Sequence, residues 1–130
     1  MDDTTALQHA VDAGDGHLVL APGTYRLTRP LLIDLGREGP FAIDGSGGAA
    51  RLVMDGPGPA LRFVGSHDKT ADPEGFRPEV WRRERFPNVE GVEIEGAHED
   101  ARGIELSGTM MATVMGVSIR RCRYGVHLIH

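Results

Sequence analysis

DDTTALQHAV, residues 2–11, and GHLVLAPGTYRL, residues 16–27, decide the fold of this chain. The first stretch has the composition of a short helix, and the second holds two strand segments separated by Pro22 and Gly23. Proline sets φ at the second position of a turn and glycine permits a positive φ at the third, so this pair predicts a turn. The opening therefore predicts a helix, a strand, a turn and a second strand.

The predicted helix has a start signal and an apolar stripe. Thr5 and Gln8 have the spacing of a capping box, and Gly14 and Gly16 mark the end of the helix. One short helix is not stable alone, so we expect it to cover the open end of a β solenoid. The candidate N-caps are Asp2, Asp3 and Thr5, and the expected stripe is Ala6, Leu7, Ala10 and Val11.

The composition fits one turn-rich β domain. Glycine is 18 of 130 residues, about twice its average share, while 40% of residues are hydrophobic and occur in ordered groups. A net charge of -5 argues against a nucleic-acid partner, and no apolar run has the length of a membrane-spanning helix. The single cysteine, Cys122, excludes an internal disulfide and is expected to be a small buried apolar side chain rather than a reactive thiol.

Short apolar segments closed by glycine recur at solenoid spacing. VEIEG at 92–96 returns as VSIRR at 117–121. RGIELSG at 102–108 returns as YGVHLIH at 124–130, and PALRFVG at 59–65 is an earlier member of this second set, on the far side of a long interruption. Repeats of about 20–50 residues are typical of solenoids, and the unequal spacing of the two sets indicates corners of variable length between strands.

Alignment of these segments places apolar residues in columns two positions apart, as for inward-facing positions of a strand. Polar residues lie between the columns. The fold class predicted is all-β: a right-handed parallel β-helix, a single-stranded solenoid of about four coils with a short N-terminal capping α-helix. The apolar columns are Leu61, Ile104 and Val126; Phe63, Leu106 and Leu128; Val92 and Val117; and Ile94 and Ile119, with Arg62, Glu105 and His127 as a polar column and Glu95 over Arg120.

We expect one domain with four segments. Residues 1–15 form the helical cap, 16–65 the first coils, 66–87 an inserted loop, and 88–130 further coils that end within a repeat. The inserted loop breaks the repeat with five acidic and five basic residues and three prolines. An uncapped last coil exposes strand edges and apolar core, so we expect the chain to be the N-terminal portion of a longer domain, or to associate end to end or by its edges.

The N-terminal run resembles the pectate-lyase-like superfamily, in particular rhamnogalacturonase and epimerase-like β-helices. Such proteins commonly begin with a DDTxALQxAI-type cap and a strand ending in PPGTY. The resemblance covers the opening quarter of the chain, and the later coils share only the pattern. The matching residues are Asp2, Asp3, Thr4, Ala6, Leu7, Gln8, Ala10 and Val11, followed by Leu18, Leu20, Pro22, Gly23, Thr24 and Tyr25.

The resemblance implies a pectin-lyase-like fold and an extracellular or periplasmic enzyme acting on acidic polysaccharide, although no signal peptide is visible here. It transfers no catalytic residue, because the paired aspartates, Gly-His-Gly and Arg-x-Lys of polygalacturonases are missing from the chain. No cofactor is evident, and calcium is a candidate only for a full-length parent. The function expected is therefore that of N-terminal coils of a lyase, hydrolase or epimerase with its catalytic residues downstream, so that this chain alone is inactive. The alternatives are a glycan-binding or surface-adhesion module and a structural repeat.

The inserted loop holds the substrate-binding residues that we predict. Trp81 can stack on a sugar face, and three arginines can bind carboxylates in bidentate fashion. The alternative is that Trp81 and Phe86 fasten the loop to the wall of the coils. The predicted substrate-binding residues are Trp81, Arg82, Arg83 and Arg85.

Other polar groups have both a functional and a structural interpretation, and we favour the structural one in each case. Carboxylates on the coils can act as acids, bases or calcium ligands, or form surface ion pairs such as Arg62 with Glu105 and Glu95 with Arg120. DGSGG at 44–48 lacks the lysine of a phosphate loop and is expected to form a tight corner. The remaining candidates are Glu93, His98, Glu99, Asp100, His127 and His130, and the cationic row Arg120, Arg121 and Arg123.

Overall fold

The computed structural model describes residues 2–13, 16–35, 41–65, 87–109 and 112–129. These residues form one helix, one short 3-10 turn and twelve short strands. Helix α1 spans Thr4–Ala13 and the 3-10 turn spans Ser46–Gly48. The strands are β1 His17–Val19, β2 Gly23–Leu27, β3 Leu31–Asp34, β4 Ala42–Asp44, β5 Ala50–Met54, β6 Gly58–Val64, β7 Asn88–Glu90, β8 Val92–Gly96, β9 Ala101–Ser107, β10 Thr113–Met115, β11 Ser118–Arg120 and β12 Val126–Ile129.

The strands stack into three parallel sheets of four strands each. Sheet A contains β1, β4, β7 and β10; sheet B contains β2, β5, β8 and β11; sheet C contains β3, β6, β9 and β12. Three consecutive strands complete one circuit through the three sheets, which we call a coil, so coil 1 is β1–β3 and coil 4 is β10–β12. The structure is the all-β parallel β-helix with an N-terminal capping helix that the sequence predicts.

The register of neighbouring coils confirms the predicted repeat. Ile94 of β8 pairs with Ile119 of β11, as the match of 92–96 to 117–121 predicts. Ile104 pairs with Val126 on one side and with Leu61 on the other, although the two intervals along the chain differ nearly twofold. A strand bonds only to the strands directly before and after it in the stack. A corner or inserted segment of any length therefore leaves the register intact.

The inward-facing columns form the core of coils 1 to 3. In sheet C, Ile33 and Phe63 are fully buried and Leu106 nearly so, whereas Leu128, next in the same column, is 65% exposed. Val126 is likewise 48% exposed although its neighbour Ile104 is buried. Within the described residues no strand lies above coil 4. The predicted columns of sheet C are therefore in register, but their last members, Val126 and Leu128, are exposed.

Helix α1 packs a narrower stripe onto coil 1 than the sequence predicts. Thr4, Leu7 and Val11 are buried, and they contribute to one face of the helix at spacings of three and four residues. Ala6 and Ala10 are exposed, so their assignment to the buried stripe was wrong. Thr4 takes the place at the start of the stripe because its hydroxyl accepts the backbone N–H of Thr28 in coil 1.

The N-terminal segment also pairs with the strand edges of coil 1. Asp3 donates its backbone N–H to the carbonyl oxygen of Arg26 at 2.8 Å and accepts the Arg26 N–H on its carboxylate at 2.9 Å. The amide of Gln8 accepts the N–H of Leu32 at 2.8 Å and donates to its carbonyl oxygen at 2.9 Å. The predicted capping box is therefore wrong: Gln8 covers the edge of β3 instead of bonding to the helix start. These bonds satisfy backbone groups that would otherwise form an open edge.

The carboxylate of Asp2 makes the stability of this cap depend on pH. It accepts hydrogen bonds from the hydroxyl and backbone N–H of Thr4 and from the hydroxyl of Thr28, at 2.6, 2.9 and 2.7 Å. The hydroxyl of Thr4, then that of Thr28, holds the pKa of Asp2 well below its usual range. A lowered pKa in the folded state stabilises the protein above the unfolded pKa of about 3.9, and this contribution is lost as the pH falls below it.

We therefore expect Asp2→Asn to destabilise the protein near neutral pH and to differ progressively less from the original protein below about pH 4. Asparagine keeps an acceptor oxygen but not the charge, so the comparison isolates the contribution of the ionised carboxylate to the free energy of unfolding. Urea denaturation of both proteins over the acidic range measures this difference. A difference that stays constant with pH would show that the charge of Asp2 does not stabilise the cap.

Candidate functional site

An open groove crosses three successive coils at the corner between sheets B and C. Pro57 and Gly58 lie at the start of β6, Asp100 and Arg102 at the start of β9, and Arg123 and Tyr124 just before β12. Each pair comes from one coil, so the groove runs along the axis of the solenoid. Its volume is about 310 Å³, and we call it the corner groove.

Gly58 has no side chain that would project into the corner groove from coil 2. Its φ is +98°, a conformation that side-chain-bearing residues rarely adopt. A Cβ atom there would lie 3.3 Å from Cγ of Pro30 and 3.8 Å from Nη2 of Arg102. A side chain there would therefore crowd Pro30 and come into van der Waals contact with Arg102, which lines the middle of the groove.

The coil 4 end of the corner groove presents an aromatic ring beside a guanidinium. Tyr124 is 48% exposed, and the guanidinium carbon of Arg123 lies 5.9 Å from the centroid of its ring. The Tyr124 and His127 rings stack with centroids 5.4 Å apart and planes inclined by 28°. Nη1 of Arg123 also donates to Oδ1 of Asp100 at 3.1 Å. The guanidinium and the second ring restrain the Tyr124 ring, and its exposed part is accessible to a ligand that stacks on aromatic surfaces.

Glu105 holds the guanidinium group of Arg102 in position. The residue is only 7% exposed, and its Oε2 accepts a hydrogen bond from Nε of Arg62 at 2.6 Å. Its Oε1 lies 3.4 Å from Nη1 of Arg102. The predicted ion pair of Arg62 with Glu105 is confirmed, but it is largely buried on the Glu105 side. Because both oxygens face arginines, the carboxylate acts as an anchor for Arg102 rather than as a free base.

The other predicted carboxylates belong to an ion-pair ladder on the outer face of sheet B. Arg51 of coil 2 reaches both Glu93 and Glu95, at 3.4 and 3.6 Å. Glu95 also lies 3.6 Å from Arg121, and Glu93 pairs with Arg120. The prediction that Glu95 pairs with Arg120 was therefore wrong. The two residues are in register, but the long side chain of Arg120 extends to Glu93 instead.

His98, His127 and Cys122 have structural contacts. Nδ1 of His98 accepts the backbone N–H of Asp100 at 3.0 Å, which closes the turn before β9. His127 lies over Glu105 in register, as predicted, and stacks on Tyr124. Cys122 is a free thiol, half-buried against the core, and burial raises the pKa of its thiol. The predicted role as a packing residue agrees with these contacts.

The glycine-rich segment after β4 forms a corner, as expected. Ser46 donates its backbone N–H to Oδ1 of Asp44 at 2.9 Å and its hydroxyl to the carbonyl oxygen of Leu20 at 2.6 Å. A Cβ atom at Gly45 would collide with the carbonyl oxygen of Gly91 in the next coil. Glycine is therefore required there by the close approach of two coils. This packing explains the glycine, and no phosphate-binding role is needed for it.

The predicted substrate-binding residues Trp81, Arg82, Arg83 and Arg85, and the candidate His130, lie outside the described residues. In the part of the chain that the structure describes, no three His, Cys, Asp or Glu residues group in a way that would hold a metal ion. No helix among the same residues is long and apolar enough to cross a membrane.

Sequence reasoning missed most of the corner groove, although it contained a signal for it. The match of 102–108 to 124–130 places Tyr124 over Arg102, and the match to 59–65 places Arg102 over Pro59. These residues open the matched segments, two positions before the first buried column. Their position at the same corner of three coils was the available sign of a shared surface.

The chain matches no protein-family model, and comparison with curated proteins and with solved structures finds no match either. The corner groove is therefore interpreted from its geometry and chemistry.

Proposed function

We propose that these coils bind a polysaccharide chain along the corner groove. The observation that carries the proposal is the alignment of Arg102, Arg123 and the exposed ring of Tyr124 along one open groove. Aromatic faces stack on the apolar faces of sugar rings, and guanidinium groups bind carboxylates and hydroxyl oxygens. A groove of about 310 Å³ is at the lower end of ligand-site volumes, which suits a few sugar units.

The orientation of the corner groove favours a polymer over a compact ligand. Stacked strands are about 4.8 Å apart, so the three coils extend the groove over roughly 10 Å along the axis. The groove is open along its length, and its polar groups are spaced coil by coil. A linear chain lying along the axis would meet Arg102 and then Arg123 with Tyr124 in succession.

The charge of the corner groove favours an acidic chain. The lining holds two arginines, Arg102 and Arg123, and one carboxylate, Asp100, so cations outnumber anions on it. Arg123 already pairs with Asp100, but a guanidinium has five donors and several stay available to a ligand. The proposed ligand is therefore a polysaccharide that carries carboxylates, with Asp100 accepting bonds from sugar hydroxyls.

We further propose that the chain belongs with the pectate-lyase-like β-helices and forms the first coils of an extracellular or periplasmic lyase, hydrolase or epimerase. The resemblance of the cap and first turn supports this, together with the parallel β-helix. The catalytic residues would lie outside the described coils. The second candidate is a non-catalytic glycan-binding module, which is favoured by the engagement of both Glu105 oxygens by arginines.

Titration with oligogalacturonate, followed by calorimetry, tests the binding proposal. We expect binding by the original protein and about tenfold weaker binding by Tyr124→Ala, because loss of an aromatic stacking face costs about 1.4 kcal/mol. Arg123→Ala should weaken binding of the acidic oligosaccharide more than that of a neutral one. Arg26→Ala removes an exposed arginine of coil 1, paired with Asp55, and serves as the matched control.

Absence of binding, or equal affinity of the Tyr124→Ala and original proteins, would reject the corner groove as the glycan site. Incubation with pectin or alginate tests whether this chain is itself catalytic. We expect this chain to release no unsaturated uronide, which is detected by its ultraviolet absorbance. Release of that product would show that the catalytic residues lie within this chain.

A further inference from the structure

A row of charged side chains connects the outer face of sheet C to the corner groove. Arg62 of coil 2 and Glu105 of coil 3 are in register on neighbouring strands, and the Glu105 carboxylate contacts both Arg62 and Arg102. Arg62 is not among the described residues that line the groove, whereas Arg102 is. Glu105 therefore links an arginine outside the groove to one inside it.

The two arginines do not bind Glu105 equally. Nε of Arg62 donates to Oε2 of Glu105 at 2.6 Å, whereas Nη1 of Arg102 lies 3.4 Å from Oε1. Hydrogen bonds between charged groups are usually shorter than about 3 Å, so the Arg62 bond is the strong one and the Arg102 contact is weak. Because a guanidinium has five donors, Arg102 can offer several of them to a ligand in the groove.

The burial of Glu105 makes this unequal sharing important. The residue is only 7% exposed, and a buried carboxylate needs a cation close to it because little water is present to stabilise its charge. Arg62 provides that cation. Among the described residues, the other cation in contact with Glu105 is Arg102. Loss of Arg62 would therefore make Arg102 the counter-ion of Glu105.

The charge of the corner groove depends on which arginine neutralises Glu105. With Arg62 in that role, Arg102 and Arg123 outnumber the Asp100 carboxylate on the lining. If Arg102 took the role instead, the ion pair of Arg123 with Asp100 would leave the lining without excess positive charge. A ligand that carries carboxylates would then lose much of its attraction to the groove, whereas a neutral ligand would lose little.

From these contacts we infer that Arg62 is a positioning residue that sets the preference of the corner groove for acidic over neutral ligands. It does so by neutralising Glu105, which leaves Arg102 available to the ligand. For the identity of that ligand, the inference rests on the proposed function. The effect of Arg62 on Arg102 is a property of the free protein and is measurable without a ligand.

Urea denaturation of the free protein tests this change of partner. Arg102→Met should destabilise the Arg62→Met protein more than it destabilises the original protein, because Arg102 is the main counter-ion of Glu105 only when Arg62 is absent. With Glu105→Gln present in both proteins the difference should disappear, since the neutral amide needs no counter-ion.

Calorimetric titration with oligogalacturonate, and with a neutral oligosaccharide of equal length, tests the preference of the groove. We expect Arg62→Met to bind the acidic chain about tenfold more weakly, because a charge-assisted contact with Arg102 is lost. Its affinity for the neutral chain should equal that of the original protein. The double variant with Arg62→Met and Glu105→Gln should regain the affinity for the acidic chain.

Arg26→Met is the matched control for Arg62→Met. It also removes a partly exposed arginine that pairs with a carboxylate, here that of Asp55, but this pair lies apart from Glu105. We expect it to bind both oligosaccharides like the original protein. A tenfold loss in this variant as well would show that any lost positive charge weakens binding, and it would overturn the specific role of Arg62.

Different results reject the glycan site and the role of Arg62. Absence of oligogalacturonate binding by the original protein rejects the glycan site, whereas equal destabilisation by Arg102→Met with and without Arg62 rejects the role of Arg62. A loss of affinity in Arg62→Met that the double variant does not restore rejects that role too. Unfolding of Arg62→Met while the double variant folds would show that Arg102 cannot serve as the counter-ion, and it would also overturn the inference.

Discussion

Replacement of Gly96 by alanine is expected to destabilise the protein by about 3 kcal/mol, at the upper end of the usual cost of overpacking. Gly96 ends β8, where a Cβ atom would collide with the backbone carbonyl oxygen of Arg121 in coil 4 and lie 3.2 Å from Cβ of Ala101. The colliding atom is backbone, so coil 4 would have to shift as a unit. Urea denaturation of the purified variant measures the loss.

Gly125→Ala is the matched control for Gly96→Ala. A Cβ atom at Gly125 would meet Cδ1 of Ile119 at 3.9 Å, which is ordinary van der Waals contact, and we expect a change below about 1 kcal/mol. The two substitutions are chemically identical and lie on neighbouring coils. Equal losses would show that glycine at Gly96 is not required by the stacking of one coil on the next.

Phe63→Ala is expected to destabilise the protein by about 4 kcal/mol. Phe63 is fully buried between coils 1 and 3, in the same column as Ile33 and Leu106. Truncation removes most of its buried apolar surface and leaves a cavity that the stacked backbones cannot close. Chemical denaturation measures this loss.

The matched control for Phe63→Ala is Leu128→Ala, in the same column on coil 4. Because Leu128 is 65% exposed, its truncation should cost less than about 1 kcal/mol in the monomer. A loss at Leu128 as large as that at Phe63 would mean that coil 4 is covered within the single chain. It would contradict the exposure of Leu128 that the structure shows.

The stacking order could be predicted from the sequence because a parallel solenoid repeats its pattern in each coil. The column Leu61, Ile104 and Val126 is recognisable from residue spacing alone, and the structure pairs these residues as predicted. The corner at Gly45 was predictable for the same reason, since glycine and a short polar run recur where strands end. These features depend on local pattern and on register.

The side-chain geometry could not be predicted in the same way. Register places Arg120 beside Glu95, yet its flexible side chain pairs with Glu93, and Gln8 bonds to β3 rather than to its own helix. The corner groove depends on the conformations of three separate corners, which no spacing rule specifies. Exposure of apolar core on the last coil was expected from the sequence, but the columns did not indicate that Leu128 is its most exposed member.

Methyl-to-methyl nuclear Overhauser contacts measured on the isotopically labelled chain test the stacked coils most directly. The parallel β-helix predicts contacts between Ile104 and Val126 and between Ile94 and Ile119, whose strands lie about 4.8 Å apart. Contacts that instead join strands consecutive in the chain as antiparallel hairpins, with Ile104 remote from Val126, would contradict the fold and the groove built on it.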